Sequence, residues 1–341
     1  MRDNLIDALK GFTIFSVVSA HSILITYGTK NIPVLGYADA YMMPLFAFLS
    51  GWVLCYGKSE WNYQWIVDKA RRLIIPFLSW IPITYICGFW EFSALSPWLD
   101  LSGSFSEYFV RVIVHPYHGL WFLWALFTLY CIFAVLRTLQ QYIGDSIYII
   151  AFLLLSAIPT YDFFGLPAVQ GLYLFFALGY LVNRHKDKLT CFRIPAAIAS
   201  VVLFPVLGWY WNWENKLPFG LPDDMLLFQL YQFITSLSGV VCSFWLLKLL
   251  RNTYIYQMFI LLGSVSLEIY VIHATILNVG IGSGFIRALS IFITTMTLTF
   301  TIIYLVKKST ILNQILFGTT ASVGRLSLKH PIWATDAGKG L

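Results

Sequence analysis

The chain has 341 residues, of which 59% are hydrophobic and only 11% are charged, and its mean hydropathy is +0.74. Soluble globular domains carry about 25% charged residues, so this composition excludes a soluble enzyme and predicts an all-α integral membrane protein. The net charge of +6 does not predict nucleic-acid binding, because the cations form no basic stripe and no nucleic-acid motif.

Ten apolar segments follow one another along the chain and predict a bundle of about ten transmembrane helices. They cover residues 5–27, 41–56, 73–92, 120–136, 147–159, 166–182, 194–211, 225–250, 258–277 and 285–306. We expect one transmembrane domain over residues 1–308 and a cytoplasmic, poorly ordered polar tail over residues 309–341. Asp7 and Lys10 interrupt the first segment, so it should be a retained helix rather than a cleaved signal.

The cations predict the orientation of the bundle. Of the 22 Lys and Arg residues, all but four fall on one side of the predicted spans. The exceptions are Lys30, Arg111, Lys216 and Arg287. Because cytoplasmic loops are enriched in Lys and Arg, both termini should face the cytoplasm.

The five cysteines do not predict a covalent or metal framework. Their number is odd, most lie within apolar segments, and neither a CxxC pair nor a Cys/His ligand spacing occurs. We therefore expect no disulfide scaffold and no metal site.

Three ionisable residues lie within the first apolar segment: Asp7, Lys10 and His21. Ionisable groups cost roughly 2.5 to 3.5 kcal/mol in the hydrocarbon region, so they should face the protein interior or a wet cavity. Lys10 and His21 are close to three helical turns apart, which places them on one face about 16 Å from each other. Asp7 is one turn from Lys10 and could pair with it. This stripe is the first candidate for a functional site.

Five motifs in order along about 270 residues resemble the membrane-bound acyltransferase 3 family, which comprises bacterial multi-span enzymes that acylate carbohydrates. The motifs are Asp7-Ala-Leu-Lys10-Gly11 with His21, Met43-Pro44-Leu45-Phe46 through Gly51, Lys69-Ala-Arg71-Arg72 before Pro76, His118 before Trp121-Phe122-Leu123, and Ser266-Leu267-Glu268-Ile269-Tyr270 with His273. Two positions depart from the family pattern. Lys10 replaces the commoner arginine, which removes bidentate geometry, and Asp68 stands four residues before Arg72 where some members have arginine.

The resemblance implies an O-acyltransferase of the bacterial inner membrane. It would transfer an acetyl group from acetyl-CoA to a hydroxyl of an extracytoplasmic carbohydrate or a lipid-linked glycan. Besides this acceptor and the membrane lipid, no further partner is implied, and the oligomeric state is left open.

In this reading the catalytic residues are His21, Lys10, Asp7 and Glu268. A neutral His21 could accept the hydroxyl proton near neutral pH, which is the favoured interpretation, and the alternative is a buried histidine that only packs helices. Lys10 could bind a donor phosphate or stabilise charge, or it could form a structural pair with Asp7. Glu268, a carboxylate within a span, should be paired or protonated, and it could orient His273 or a bundle cation.

The remaining candidates would bind the two substrates. Lys69, Arg71 and Arg72 could meet the phosphates of acetyl-CoA, or they could simply mark the cytoplasmic side. A further set is expected near the acceptor, although aromatic belts and ordinary loop or core histidines would explain its members as well. This set is His118, Trp121 and His273.

Two other classes of function stay open at this point. A proton-coupled transporter or flippase would also hold ionisable residues within a helical bundle, but no pair of related halves with broken spans is evident in the sequence. An inactive membrane scaffold would leave the stripe of Asp7, Lys10 and His21 without a role.

Overall fold

The computed structural model describes residues 3–29, 32–56, 63–89, 103–161, 163–211 and 225–319. Within these ranges the chain forms α-helices and short 3-10 turns, and no strand. The helices are α1 (Asn4–Tyr27), α2 (Pro33–Cys55), α3 (Tyr63–Phe89), α4 (Phe105–Val114), α5 (Trp121–Ile143), α6 (Ser146–Ala157), α7 (Leu166–Arg184), α8 (Arg193–Trp209), α9 (Met225–Leu249), α10 (Tyr254–Ser264), α11 (Ser266–Ile276), α12 (Gly284–Lys308) and α13 (Thr310–Phe317). The prediction of an all-α protein is confirmed.

The predicted count of about ten spans is not confirmed. Seven described helices are long and apolar enough to cross a membrane, and a bent pair of shorter helices gives an eighth if the two count as one span. The seven are α1, α2, α5, α7, α8 with its preceding turn, α9 and α12. The third predicted span corresponds to α3, which is not in this set, and the fifth corresponds to α6, which has only 12 residues.

The first helix has local signals at both ends. The Asp3 side chain accepts a hydrogen bond from the backbone N–H of Leu5 at 2.9 Å and satisfies one of the donors left open at a helix N-terminus. Gly28 ends the helix in the left-handed region at φ 64°, where a residue without Cβ is favoured. Both ends of α1 are therefore fixed by residues that flank the apolar segment.

The ninth predicted span is the bent pair. Helices α10 and α11 meet at an angle of 80° at Val265, whose backbone leaves the helical region at φ −127° and ψ 21°. The sequence predicted a single span over residues 258–277, because the segment is mostly apolar apart from Glu268 and His273. The bend matters for the site, because α10 packs on α1 at Asp7 and Gly11, whereas α11 contacts α1 at His21.

Glycines allow two pairs of helices to pack at backbone contact. A Cβ on Gly11 of α1 would lie 1.8 Å from the carbonyl oxygen of Phe259, and one on Gly263 of α10 would lie 1.8 Å from that of Asp7. Gly51 of α2 and Gly179 of α7 approach each other's helices in the same way. Small residues permit this close approach between membrane helices, where van der Waals packing is the main attraction.

Two short helices lie outside the apolar segments. Helix α4 begins at a capping box in which the Ser104 hydroxyl accepts from the Glu107 backbone N–H and the Glu107 carboxylate accepts from the Ser104 N–H. The Ser-x-x-Glu pattern was a sequence signal for this helix. Helix α13 packs on α3 and α12 and buries Phe317. The start of the predicted tail is thus helical, and residues 320–341 lie outside the described ranges, so the division at residue 308 stays a prediction.

Candidate active site

Two cavities penetrate the bundle on different levels of α1. The first, of about 730 Å³, is lined by the cations Lys10, Lys69 and Arg72 together with Asp3 and Asp7, and we call it the basic cavity. The second, of about 550 Å³, contains both His21 and His273, and we call it the histidine cavity. Lys10 and His21 thus share a helix face, as predicted, but open into different cavities.

The centre of the histidine cavity is a pair of imidazole rings. His21 Nδ1 lies 3.1 Å from His273 Nε2, and the ring planes are inclined by only 12° at a centroid distance of 5.3 Å. His21 comes from α1, and His273 from the last turn of α11. The 80° bend at Val265 lets α10 pack against the start of α1 while α11 delivers His273 to His21.

The hydrogen bonds of His273 determine which nitrogen of each ring holds the proton. His273 Nδ1 lies 2.7 Å from the carbonyl oxygen of Tyr270 and 3.1 Å from that of Ile269, so this nitrogen must be the donor. In a neutral ring Nε2 is then an acceptor and receives the proton of His21 Nδ1. The lone pair of a neutral His21 therefore resides on Nε2.

Helix α2 and the loop before α5 complete the histidine cavity. Trp121 and Tyr117 lie with ring centroids 5.5 Å apart and both line it. Asp39 of α2 also lines it and was not recognised from the sequence, because it precedes the predicted second span and matched no motif. The backbone of His118 ends a 3-10 turn beside Trp121, but its side chain lies outside the part of the chain that the structure describes.

The basic cluster before Pro76 divides into residues inside and outside the basic cavity. Lys69 and Arg72 line it, and the Lys69 ammonium lies 4.3 Å from the centroid of the Tyr130 ring. Arg71 does not line it: its guanidinium is exposed and lies 3.8 Å from the carboxylate of Asp68. Of the three cations predicted for the donor, the structure therefore brings two to the cavity.

Glu268 is almost fully buried and pairs with two cations. Its Oε1 lies 3.2 Å from Lys307 Nζ and 3.8 Å from a terminal nitrogen of Arg72, and its side chain is only 4% exposed. The prediction that this carboxylate is paired is in accord with these distances. Nothing in the sequence indicated that Lys307 belongs to this pair, because its partner Glu268 lies 39 residues earlier in the chain.

Within the described ranges, no three His, Cys, Asp or Glu side chains are arranged to hold a metal ion. What the arrangement offers is a basic cavity suited to an anion and a histidine cavity with an oriented imidazole. An imidazole lone pair beside an aromatic pocket is suited to removing a proton from a hydroxyl group.

No curated protein and no solved structure matches the chain. A family model described as an acyltransferase domain, acyltransferase 3, matches residues 3–308, which is most of the chain. The chain therefore belongs to the acyltransferase 3 family. With its several membrane-capable helices, it is a multi-pass membrane acyltransferase.

Proposed function

We propose that this enzyme transfers an acetyl group from acetyl-CoA to a hydroxyl of an extracytoplasmic carbohydrate or lipid-linked glycan in a bacterial inner membrane. The observation that supports it most is the pair of His21 and His273 in a cavity next to a second cavity lined by cations. O-acylation needs a base for the hydroxyl proton and a binding site for an anionic donor, and the two cavities offer one each.

His21 would act as the general base. Its Nε2 takes the proton of the acceptor hydroxyl as the oxygen attacks the thioester carbonyl of the donor. The carbon–sulfur bond then breaks, and the proton on Nε2 passes to the thiolate, so that the products are the acetyl ester and the free thiol. Throughout the reaction His273 Nε2 accepts the hydrogen bond from His21 Nδ1, so this nitrogen of His21 keeps its proton. The hydrogen bond of His273 Nδ1 to the α11 backbone fixes the His273 ring, which in turn orients the His21 imidazolium.

The basic cavity would bind the phosphates of acetyl-CoA. Lys10, Lys69 and Arg72 line it, and phosphate groups are bound best by such charge-assisted donors. Because Lys and Arg mark the cytoplasmic side, this cavity would open to the cytoplasm, where acetyl-CoA is made. The pantetheine arm would then extend inward along α1 toward His21, a distance of about 16 Å from the level of Lys10.

The acceptor would enter the histidine cavity from the opposite side of the membrane. Trp121 and Tyr117 offer aromatic faces for a sugar ring, and the Asp39 carboxylate can accept hydrogen bonds from hydroxyl groups. A carbohydrate as the acceptor class is in agreement with the family resemblance of the sequence motifs.

The proposal is tested by mass spectrometry of cell-surface glycans from cells that express the protein and from cells that lack it. We expect an acetyl-sized mass increment, removable by mild base, only where the protein is present. A transporter or flippase would instead change the amount of glycan on the surface without changing its acetylation. That result, or unaltered glycan in both respects, would contradict the proposal.

The two adjacent arginines allow a sharp test of the donor site. Arg72→Gln should raise the Michaelis constant for acetyl-CoA roughly 10- to 100-fold, because a charge-assisted hydrogen bond contributes about 1.5 to 3 kcal/mol. Arg71→Gln is the matched control, since Arg71 pairs with Asp68 outside the basic cavity. The measurement is steady-state kinetics on purified protein with the acceptor at saturation.

Arg72→Lys separates charge from geometry, because it keeps the cation near Glu268 and loses the bidentate fork. Its Michaelis constant for acetyl-CoA should lie between those of the wild type and Arg72→Gln. Equal Michaelis constants for acetyl-CoA in Arg71→Gln and Arg72→Gln would contradict donor binding by Arg72. The cations would then only mark the cytoplasmic side of the membrane.

A further inference from the structure

Three neighbouring aromatic rings lie in the wall of the basic cavity, and one of them also lines the histidine cavity. They belong to Phe46 of α2, Phe122 of α5 and Tyr270 of α11, and all three are buried. The ring centroids are 5.7 Å apart for Phe46 and Phe122 and 5.8 Å apart for Phe122 and Tyr270. We call these three residues the aromatic septum.

Tyr270 is the member of the septum that faces both sides. Phe46 and Phe122 line the basic cavity, whereas Tyr270 lines the basic and the histidine cavity alike. Its ring centroid is 5.7 Å from that of His273. Among the residues that the structure places around these cavities, Tyr270 alone belongs to both linings.

The backbone and the side chain of Tyr270 are held differently. Its carbonyl oxygen accepts the 2.7 Å hydrogen bond from His273 Nδ1, so its backbone is part of the histidine pair's support. Its hydroxyl oxygen accepts from the Phe122 backbone N–H at 3.4 Å, which is beyond the usual 2.7 to 3.2 Å for such a bond. A rotation of the ring would therefore break one weak hydrogen bond and leave the backbone bond to His273 intact.

We propose that Tyr270 is a gate between the donor and the base. Its ring closes the path from the basic cavity to His21, and it moves aside when the acylated arm of the donor passes between Phe46 and Phe122. This inference rests on the proposed function, in which the donor binds on the side of Arg72 and the base is His21.

The gate has a chemical consequence. When the thioester reaches His21 without an acceptor, a water molecule can take the place of the hydroxyl: His21 removes its proton, the oxygen attacks the carbonyl carbon and the carbon–sulfur bond breaks. His21 then passes this proton to the leaving thiolate, so the products are acetic acid and the free thiol, and the donor is lost. In its closed position the Tyr270 ring keeps the thioester in the basic cavity, away from the water of the histidine cavity, until the donor arm passes through. Active-site lids exclude water in the same way in other enzymes.

The first test measures thiol release from acetyl-CoA without acceptor, on purified protein in nanodiscs. Tyr270→Ala should increase this hydrolysis several-fold over the wild type, since it removes the ring. Tyr270→Phe keeps the ring but loses the hydroxyl that accepts from Phe122, so its increase should be clearly smaller than that of Tyr270→Ala. Adding His21→Ala to Tyr270→Ala should abolish the increase. Equal hydrolysis by Tyr270→Ala and the wild type, or an equal increase in Tyr270→Phe, would overturn the gate.

The second test needs no enzymatic activity and separates failure of the gate from failure of the proposed function. In a chain whose five free cysteines are replaced, Ser50→Cys reports on the basic cavity and Ala20→Cys on the histidine cavity. A membrane-impermeant thiol reagent is added from the side of Lys69. It should label the Ser50→Cys protein readily and the Ala20→Cys protein only when Tyr270→Ala is also present.

Fast labelling of Ala20→Cys with Tyr270 intact would show that the path is already open and would refute the gate, whatever the substrate. Unchanged slow labelling after Tyr270→Ala would refute it as well, because Phe46 and Phe122 would then suffice to close the path. Labelling controlled by Tyr270 in a protein that does not use acetyl-CoA would support the gate and contradict the proposed donor.

Discussion

His21→Ala is expected to leave the protein folded and inserted but to reduce the proposed acetyl transfer by at least the roughly 10²- to 10⁴-fold that general-base catalysis contributes. The imidazole is the group whose lone pair the hydrogen bonds of His273 orient, and it lies in the wall of the histidine cavity. His21→Gln should be as inactive as His21→Ala, because an amide cannot take up a proton near neutral pH.

The measurement is acetylation of the acceptor by equal amounts of stably expressed variants, with binding of acetyl-CoA measured in parallel. Donor binding should be unchanged, since His21 does not line the basic cavity. His185→Ala is the control: this histidine pairs with Asp145 outside both cavities, so its loss should leave transfer intact. Near wild-type acetylation by His21→Gln would make His21 a packing residue, and His273 or His118 would be the next base to test.

The first helix and its ionisable residues could be predicted from sequence because their signal is local. Asp7, Lys10 and His21 interrupt an apolar segment, and the helical repeat of 3.6 residues places the last two on one face. What the repeat cannot show is that this face passes two cavities. The two linings share Tyr270 of α11, whose ring lies beside Phe122 of α5, and these helices are far apart in the chain.

The sequence favours a cavity shared by the His21 face and the ninth span, because Glu268 and His273 are the other ionisable groups within apolar sequence, but it could not give the direct contact of the two imidazoles. The two residues are 252 positions apart, and a straight helix over residues 258–277 would give no reason for α11 to leave the direction of α10. The bend at Val265 directly follows Gly263 and Ser264, and a Gly/Ser pair is a recognised cause of a sharp kink in a helix. Close packing of Gly263 against the Asp7 carbonyl holds α10 on α1 just before the chain turns.

Helix boundaries show the same limit of a hydropathy pattern. The second predicted span began at residue 41, whereas α2 begins at Pro33, because Gly36, Tyr37 and Asp39 lower the apolar average without preventing a helix. Pro33 at the first helical position is a known start signal. Asp39 was therefore assigned to a loop, although it lies in a helix and lines the histidine cavity.

The end of α12 supplies the cation that completes the pairing of Glu268. Lys307 lies 3.2 Å from Glu268 Oε1 and is only 20% exposed, whereas Lys308 is exposed and lies over the ring of Tyr304. Glu268 Oε2 is buried without a hydrogen-bond partner among the described residues. The negative charge of Glu268 is thus stabilised by the two cations at Oε1, of which Lys307 is nearer than Arg72.

Lys307→Ala should therefore lower the free energy of unfolding by about 3 kcal/mol, the lower end of the range for breaking a buried ion pair, since Arg72 still lies at 3.8 Å. Lys308→Ala, one residue further along the same helix, should change it by less than about 0.5 kcal/mol, as exposed substitutions do. Unfolding is followed in detergent by urea or heat. Adding Glu268→Gln to Lys307→Ala should recover most of the loss, because the amide has no charge to leave unpaired in the interior. Additive losses in that double variant would mean that the two side chains stabilise the fold independently and that α12 and α11 are not joined through this pair.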